Sequence, residues 1–442
     1  MQILTQFLEN FDALQTQLHA SEHLWAWVEA EDTTYVRWNQ SKIRQPTHLV
    51  QATCVLSLAI GQRHADLDIT LTGDAALDNA RLRAALLQLR DIVVDVPEDP
   101  FLLLPTEVRN SQDLAEQRDR SLNAAMDAIG YEAQGLDLVG FYADGHLGAA
   151  FADSNGQRNL WSKPLYCFDF SIYVGGDKAI KSTLGGDCFD LAQLQANLAH
   201  TRQQLPALAR PPMTIAPGAY RAFLTPAAVA ELLSLLSWNA LSTKAIRTEQ
   251  SALQRLYRGE VRLDPRVCLT EDCSNGNVPG FGPQGFIRQP KVVIFEQGRA
   301  VGSLTCPRTA QEYAIATDGS LGDESPIALA MAGATLKDSE SLAKLGTGLL
   351  VSNLWYVNYA DRTDCRMTGM TRFATFWVEN GEIVAPLQVM RFDDSFYDLF
   401  GKHLEDLGEQ PELLVDPIAW RRRSPRTMTV PSALVCSLRL TL

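Results

Sequence analysis

A chain of 442 residues is too long for one ordinary hydrophobic core, so two domains are the natural expectation. A composition of 46% hydrophobic and 21% charged residues excludes disordered and fibrous classes, and no apolar run is long enough to cross a bilayer. The net charge of −13 argues against a broad nucleic-acid surface.

The first eighteen residues lack a basic stretch and a small-residue cleavage site. They read as an amphipathic helix with Leu4, Phe7, Leu8, Phe11 and Leu18 on one stripe, and the expected location is cytoplasmic. Two short strands follow, Leu24–Ala30 and Thr33–Asn39, with Asp32 between them. Val50–Ile60 and Ala65–Thr72 read as a hairpin. Helices are predicted at about Asp78–Val93 and Ser111–Ile129, separated by a loop punctuated by Pro97, Pro100 and Pro105. Leu138–Tyr142 and Leu147–Ala152 flank Asp144-Gly145, a favoured tight-turn pair. Leu165–Val174 and Ala179–Leu184 flank Gly175-Gly176-Asp177. A helix from about Leu191 to Gln204 closes this half.

Pro206, Pro211 and Pro212 mark the expected domain boundary, giving domains over 1–207 and 213–442. The second half opens with a strand, Gly218–Leu224, and a helix from about Pro226 to Leu241 with proline at its first position. Val292–Glu296 and Ala300–Thr305 read as a hairpin. Helical signals then thin out, which predicts a β-rich C-terminal domain. The pattern does not repeat as βαβ units, so the expected class is α+β with an antiparallel sheet and helices in the N-terminal domain.

Residues that carry chemistry are sparse. The eight cysteines include no CxxC pair and are expected to be reduced and mostly buried. Cys268 and Cys273 are the closest pair, and no histidine lies between them. His19 and His23 have i, i+4 spacing without an evident third ligand. His403 reads as part of a helix start, and Cys436 as a buried strand residue. Cys365 lies between Arg362 and Arg366, which favour a thiolate, and beside Asp361 and Asp364, which oppose one. Trp420–Arg426 is a local basic run, either a solvated turn or a contact for phosphate or an acidic partner. No Gly-x-Ser-x-Gly elbow or Walker loop is present.

Between Lys344 and Arg391 the chain carries Gly346-Thr347-Gly348-Leu349-Leu350-Val351, then Thr368-Gly369, then Val378-Glu379-Asn380-Gly381-Glu382-Ile383. This order resembles the C-terminal domain of the TldD/PmbA family, once described as modulators of DNA gyrase. Tyr35–Asn39 and Asp153-Ser154-Asn155-Gly156 resemble N-terminal family segments more loosely. The resemblance implies a metallopeptidase-related fold. In the TldD branch a His-Glu-x-x-x-His helix and a loop cysteine belong to the zinc site. The matching helix here, Pro226–Ala240, contains Glu231 and no histidine, and the region matching the cysteine loop, Trp420–Val430, contains no cysteine.

The resemblance therefore points to the TldE (PmbA) branch. It implies a subunit without zinc ligands of its own, paired with a zinc-bearing TldD-like chain in a heterodimer that cleaves unfolded or short peptides. Neither catalytic nor metal-ligating residues are assigned, and no cofactor is expected in this chain. Asp361, Arg362, Cys365, Arg366, Thr368, Gly369, Met370, Thr371, Arg372 and Phe373 are the candidates for lining a peptide path or the partner interface. The alternative is that they close a β-rich core. A stand-alone peptide-binding or scaffolding homodimer is the second functional expectation. Neither nucleic acid nor membrane is expected as a partner.

Overall fold

The computed structural model describes residues 2–115 and 122–441. The N-terminal half is built on one sheet of seven strands: β1 Glu22–Asn39, β2 Lys42–Ile60, β3 Arg63–Leu71, β4 Ser111–Leu114, β5 Asp137–Asp153, β6 Arg158–Val174 and β7 Lys178–Gly186. Their order is β3-β2-β1-β5-β6-β4, with β7 also paired to β6. Among the described residues this half has four helices: α1 Gln2–Gln15, α2 Ala75–Val93, α3 Leu122–Glu132 and α4 Leu191–Leu208.

Period-two alternation sorts the side chains of this sheet. Leu24, Ala26 and Val28 of β1 join Ala150 and Ala152 of β5 beneath α1 and α2. Val36 and Trp38 join Leu138, Tyr142 and Phe168 beneath α3 and α4 on the same face. Trp25, Trp27, Ala149, Phe151 and Trp161 point the other way and pack on Phe281 and Ile287. The second face is thus closed by a loop from the C-terminal half.

The C-terminal half has two sheets. One contains β9 Leu269–Asp272, β10 Lys291–Glu296, β11 Arg299–Ala300, β12 Ala328–Met331, β18 Glu412–Val415 and β19 Thr427–Val430, in the order β11-β10-β9-β12-β19-β18. The other contains β8 Gly218–Leu224, β13 Gly348–Asp361, β14 Arg366–Glu379, β15 Glu382–Pro386, β16 Arg391–Ser395, β17 Leu404–Leu407 and β20 Ala433–Leu440. Its path β13-β8-β20-β16-β14 closes on itself through the β13–β14 pairing. Helix α5, Pro226–Ser234, packs on β13.

Alternation divides this closed sheet as well. Ala222, Leu224, Leu349 and Val351 enter the large C-terminal core. Phe223, Leu350 and Leu434 point the opposite way and meet Ile180, Ala207 and Leu208 of the N-terminal half. Helices and mixed, largely antiparallel sheets together make the class α+β, as expected. Among the described residues no helix is long and apolar enough to cross a membrane.

Several local expectations are corrected. The two strands expected around Asp32 are one strand of 18 residues. Asp32 stays in register opposite Val50, and its Oδ1 lies 3.4 Å from His48 Nε2, diagonally across the sheet. Asp144-Gly145 is no turn, because β5 runs through it. A Cβ at position 145 would lie 2.0 Å from the Asp32 carbonyl oxygen, so glycine there permits close approach of β1. Ser111–Leu114 is a strand, and helix begins only at Leu122. The part of that helix expected over 116–121 lies outside the described residues. Helix α4 continues through Pro206 to Leu208.

The α5 helix stops at Ser234 and tightens into a 3₁₀ turn over Leu235–Ser237. The second arm of the hairpin expected at Ala300–Thr305 is only Arg299–Ala300, because the amides of Val301 and Gly302 both turn onto the Ile294 carbonyl. His403 precedes a strand instead of starting a helix. Cys436 is exposed rather than buried. It sits where the β20–β8 register shifts between Val435 and Leu438, which turns its side chain outward.

Candidate functional site

The α5 helix starts where its sequence demands. Thr225 is extended (φ −66°, ψ 165°) and its Oγ1 accepts from the Ala228 amide, with Pro226 following in the first turn. The Thr225 amide donates to the Val351 carbonyl at 3.1 Å, and its hydroxyl donates to the Ser352 carbonyl. The helix is thereby pinned to β13. Ala228, Val229, Leu232 and Leu233 fill the core beneath it, as the helical spacing predicts. The opposite face presents Ala227, Ala230, Glu231 and Ser234 to a large cavity.

This cavity of about 1090 Å³ lies between the two halves of the chain. The N-terminal half contributes Ile180–Leu184 of β7 and the α4 residues Asn197, His200 and Gln204. The C-terminal half contributes α5, Ser352 and Asn353 of β13, Glu412 and Leu414 of β18, and Asp416–Ile418. Ile180, Leu184, Phe223, Leu350 and Ile383 supply apolar wall. Trp238, just after the 3₁₀ turn, stands at the wall and remains half exposed.

Charge is distributed unevenly around this space. Glu231 is reached by water, yet surrounding protein displaces most of its hydration. This desolvation raises its pKa above the ordinary value of 4.5, with Lys181 opposing the shift and Asp169 adding to it. Lys181 is itself paired to Asp169 at 3.3 Å, and Thr183 Oγ1 donates to the same carboxylate. Desolvation also raises Glu412, with the negative charge of Asp338 as the second cause. Asp416 is raised by burial and accepts the Ile418 amide at 2.9 Å. Arg426 donates to Ser325 Oγ at 2.9 Å. His200 Nε2 lies 2.9 Å from Gln204 Nε2 on its own helix. The wall is lined by hydroxyls, amides and carboxylates beside apolar side chains, and the hydrogen bond made by its histidine goes to Gln204.

The wall also fails as a zinc site. The helix matching the zinc helix of the TldD branch offers one carboxylate toward the cavity. Among the described residues no three His, Cys, Asp or Glu side chains are grouped to hold a metal ion. The residues present do not fit the metal that the resemblance implies for the other branch.

The ten residues singled out from the sequence lie instead on the β13–β14 hairpin and its tip, and none lines the cavity. Asp361, Arg362, Arg366, Met370 and Arg372 are exposed; Thr368 and Phe373 are intermediate; Cys365, Gly369 and Thr371 are buried. Arg362 Nη2 donates to the Trp238 carbonyl at 3.0 Å, so the tip touches the cavity rim. Arg366 pairs with Asp393 at 2.7 Å. Cys365 is 0% exposed and burial pushes its thiol far up, the reverse of the activation its neighbouring arginines would give. Thr368 Oγ1 donates to the Phe392 carbonyl, and Thr371 closes onto Met390. A Cβ at Gly369 would lie 2.7 Å from the Phe392 ring. Arg372 stacks over Trp355 at 4.3 Å, near exposed Tyr356.

The basic run at 420–426 is neither a free turn nor an open anion site along its length. Arg422 pairs with Glu29, and the Arg423 amide donates to Glu31 Oε2 at 3.0 Å. Arg423 Nη1 donates to the Leu165 carbonyl at 2.8 Å. Burial lowers the pKa of this guanidinium from its usual range. Sequence reasoning missed the cavity, and it missed this clasp. The run of arginines was visible, but its acceptors Leu165 and Glu29 lie 258 and 393 positions away.

Residues 217–441 match the family model of the PmbA/TldA metallopeptidase C-terminal domain. No curated protein sequence matches the chain significantly. Among solved structures, the fold is similar to a modulator of a DNA gyrase from Thermotoga maritima, with 15% identity, a TM-score of 0.76, and 98% of this chain and 100% of that one covered. It is also similar to TldE from Thermococcus kodakarensis, with 13% identity, the same TM-score and the same coverage. A modulator of DNA gyrase from Bacteroides thetaiotaomicron gives 16% identity and a TM-score of 0.71, covering 99% of this chain and 98% of that one. At these identities the structural likeness speaks for the fold.

Proposed function

The chain belongs to the TldD/PmbA metallopeptidase family, and from that premise we propose that it is a TldE-like subunit of a zinc metallopeptidase heterodimer. In this reading the chain holds unfolded or short peptides in the cytoplasm while a TldD-like partner supplies the zinc. The observation that carries it is the cavity face of α5, which presents Ala227, Ala230, Glu231 and Ser234, with no histidine on the helix that resembles the zinc helix of the other branch. A hydrolytic zinc takes three protein ligands and an open position, and this face offers one carboxylate. The cavity is nevertheless large. At about 1090 Å³ it exceeds the roughly 300–1,000 Å³ of ordinary small-molecule pockets, which suits a length of peptide chain. β7 and β18 both border it, and each pairs in a ladder with a single neighbouring strand; an extended peptide beside them is held by backbone hydrogen bonds that ignore sequence in this reading.

Co-expression with a zinc-bearing TldD-type homologue, followed by peptide cleavage assays on each chain alone and together, tests the reading. The expected result is a co-purifying pair that cleaves only when both chains are present. Chelator-sensitive hydrolysis by this chain alone would refute it. A stable homodimer indifferent to the homologue would establish the peptide-binding or scaffolding role instead.

A further inference from the structure

Helix α2 is apolar on two opposite sides. Leu82, Ala85, Leu86, Leu89 and Val93 enter the N-terminal core. A surface helix ordinarily turns polar residues to its other side. Here that side carries Leu77, Ala80, Ala84, Leu87, Asp91 and Val94, all exposed. Leu77, Leu87 and Val94 are 46%, 60% and 59% open to solvent, which is unusual for three large apolar groups on one line. The steps along the line are three, four, three, four and three residues, the alternation of a coiled-coil seam. The same steps read identically from either end. An antiparallel copy of the helix, centred between Ala84 and Leu87, therefore sets Leu77 against Val94 of that copy. It also sets each Leu87 against the other's Ala84, a large side chain over a small one.

We propose that two copies of this chain associate through α2, as an antiparallel helix pair about a two-fold axis. Charge complementarity selects a second copy as the occupant. The chain as a whole carries −13, yet α2 holds Arg81, Arg83 and Arg90 against Asp78 and Asp91, so like copies do not repel here. Asp91 is the charged member of the seam. The symmetric pairing places it opposite Ala80 of the second copy, with that copy's Arg81 on one flank and Arg83 on the other. Along the axis these lie about 1.5 Å and about 4.5 Å from its level. Arg81 already donates to the Thr70 carbonyl and Arg90 is paired to Glu22, which leaves Arg83 as the partner for Asp91. Two-fold symmetry forms this ion pair twice. A single helix pair lies at the low end of specific interfaces, which bury roughly 800 Å² per partner, so the dimer depends on concentration. None of these residues lines the cavity, and the contact is independent of the subunit role proposed above.

Sedimentation velocity of the full-length chain from about 1 to about 200 µM reads the association. The expected result is a dimer whose share rises with concentration. Leu87→Arg sets a cation beside Arg83 of the second copy and removes an apolar contact, and is expected to weaken the dimer about tenfold or more. Leu87 points away from the core, so folding is retained, and circular dichroism checks it. Asp91→Arg is expected to weaken the dimer about threefold or more at low salt. Adding Arg83→Glu to the same chain restores it, because each copy then supplies both reversed partners.

A chain that stays monomeric throughout, a dimer indifferent to Leu87→Arg, or a charge reversal that Arg83→Glu does not rescue would overturn the proposal. So would loss of pairing with the zinc-bearing homologue in Leu87→Arg, which would assign this face to that subunit instead. A self-association that Leu87→Arg abolishes, in a chain that ignores the homologue, sinks the subunit reading and leaves this one standing.

Discussion

Val415 sits directly over Gly185, where a Cβ would lie 2.2 Å from Val415 Cγ2. This contact joins β18 to β7 and sets the distance between the two halves beside the cavity. Gly185→Ala is expected to cost about 1–3 kcal/mol, because the crowding atom belongs to a short, stiff side chain. Val415→Ala in the same chain recovers most of that loss, since the two changes share one contact. Chemical denaturation of the single and double variants checks both statements.

The raised pKa of Glu231 makes its contribution depend on pH. Between its unfolded value near 4.5 and its higher folded value, the folded chain holds a proton that the unfolded chain releases. The stabilisation from protonation is therefore fully present below the unfolded value and is lost as pH rises through the folded one. Glu231→Gln is expected to raise the melting temperature above that window and to leave it unchanged at pH 4. Water reaches this group, so the shift is small, about a degree. Thermal denaturation of both proteins across pH 4–8 decides it.

Glu324 is 2% exposed and gathers three donors: Cys306 N at 2.9 Å on Oε1, and Ser242 Oγ at 2.5 Å and Lys244 N at 3.0 Å on Oε2. It ties together loops that are otherwise far apart in sequence. Glu324→Ala leaves these donors buried and unanswered and is expected to cost about 3–5 kcal/mol. Equilibrium unfolding in urea measures it.

Thiol accessibility distinguishes the cysteines. Cys436 is exposed, whereas Cys365 and Cys54 are fully buried with thiols pushed up by desolvation. Cys167 and Cys273 are buried too, each pushed up to about 12. Iodoacetamide at neutral pH is expected to modify Cys436 in the native protein and to reach these four only after unfolding. Peptide mass spectrometry reads the outcome, and rapid native modification of Cys365 would contradict the packing at the hairpin tip.

Much of the fold is legible in the sequence because burial follows simple periods. The stripe Leu4, Phe7 and Phe11 announced which side of α1 is core, and the runs flanking Gly175-Gly176 announced a true hairpin between β6 and β7. The errors at Asp32 and Asp144-Gly145 share one cause. Thr33 pairs with Gly145 in the sheet, so a polar residue and a glycine that resemble turn signals each serve a close strand contact that only the partner strand reveals. The cavity was illegible for a related reason. Asn197, Glu231, Asp338, Asn353 and Glu412 come from five separate stretches, and each is unremarkable beside its sequence neighbours. The family motifs led to the β13–β14 hairpin, and the cavity lies elsewhere, between elements that carry no motif.

The clasp made by Arg422 and Arg423 has a consequence for how the protein comes into being. Glu29 is separated from Arg422 by 393 positions. During synthesis Glu31 can meet Tyr35 and Gln51 of its own sheet early, whereas Glu29 must wait for nearly the whole polypeptide before its guanidinium partner exists. Completion of the first-made portion is thereby tied to the last-made portion: a nascent chain arrested before this segment leaves the ribosome carries the whole sheet with Glu29 still lacking its guanidinium.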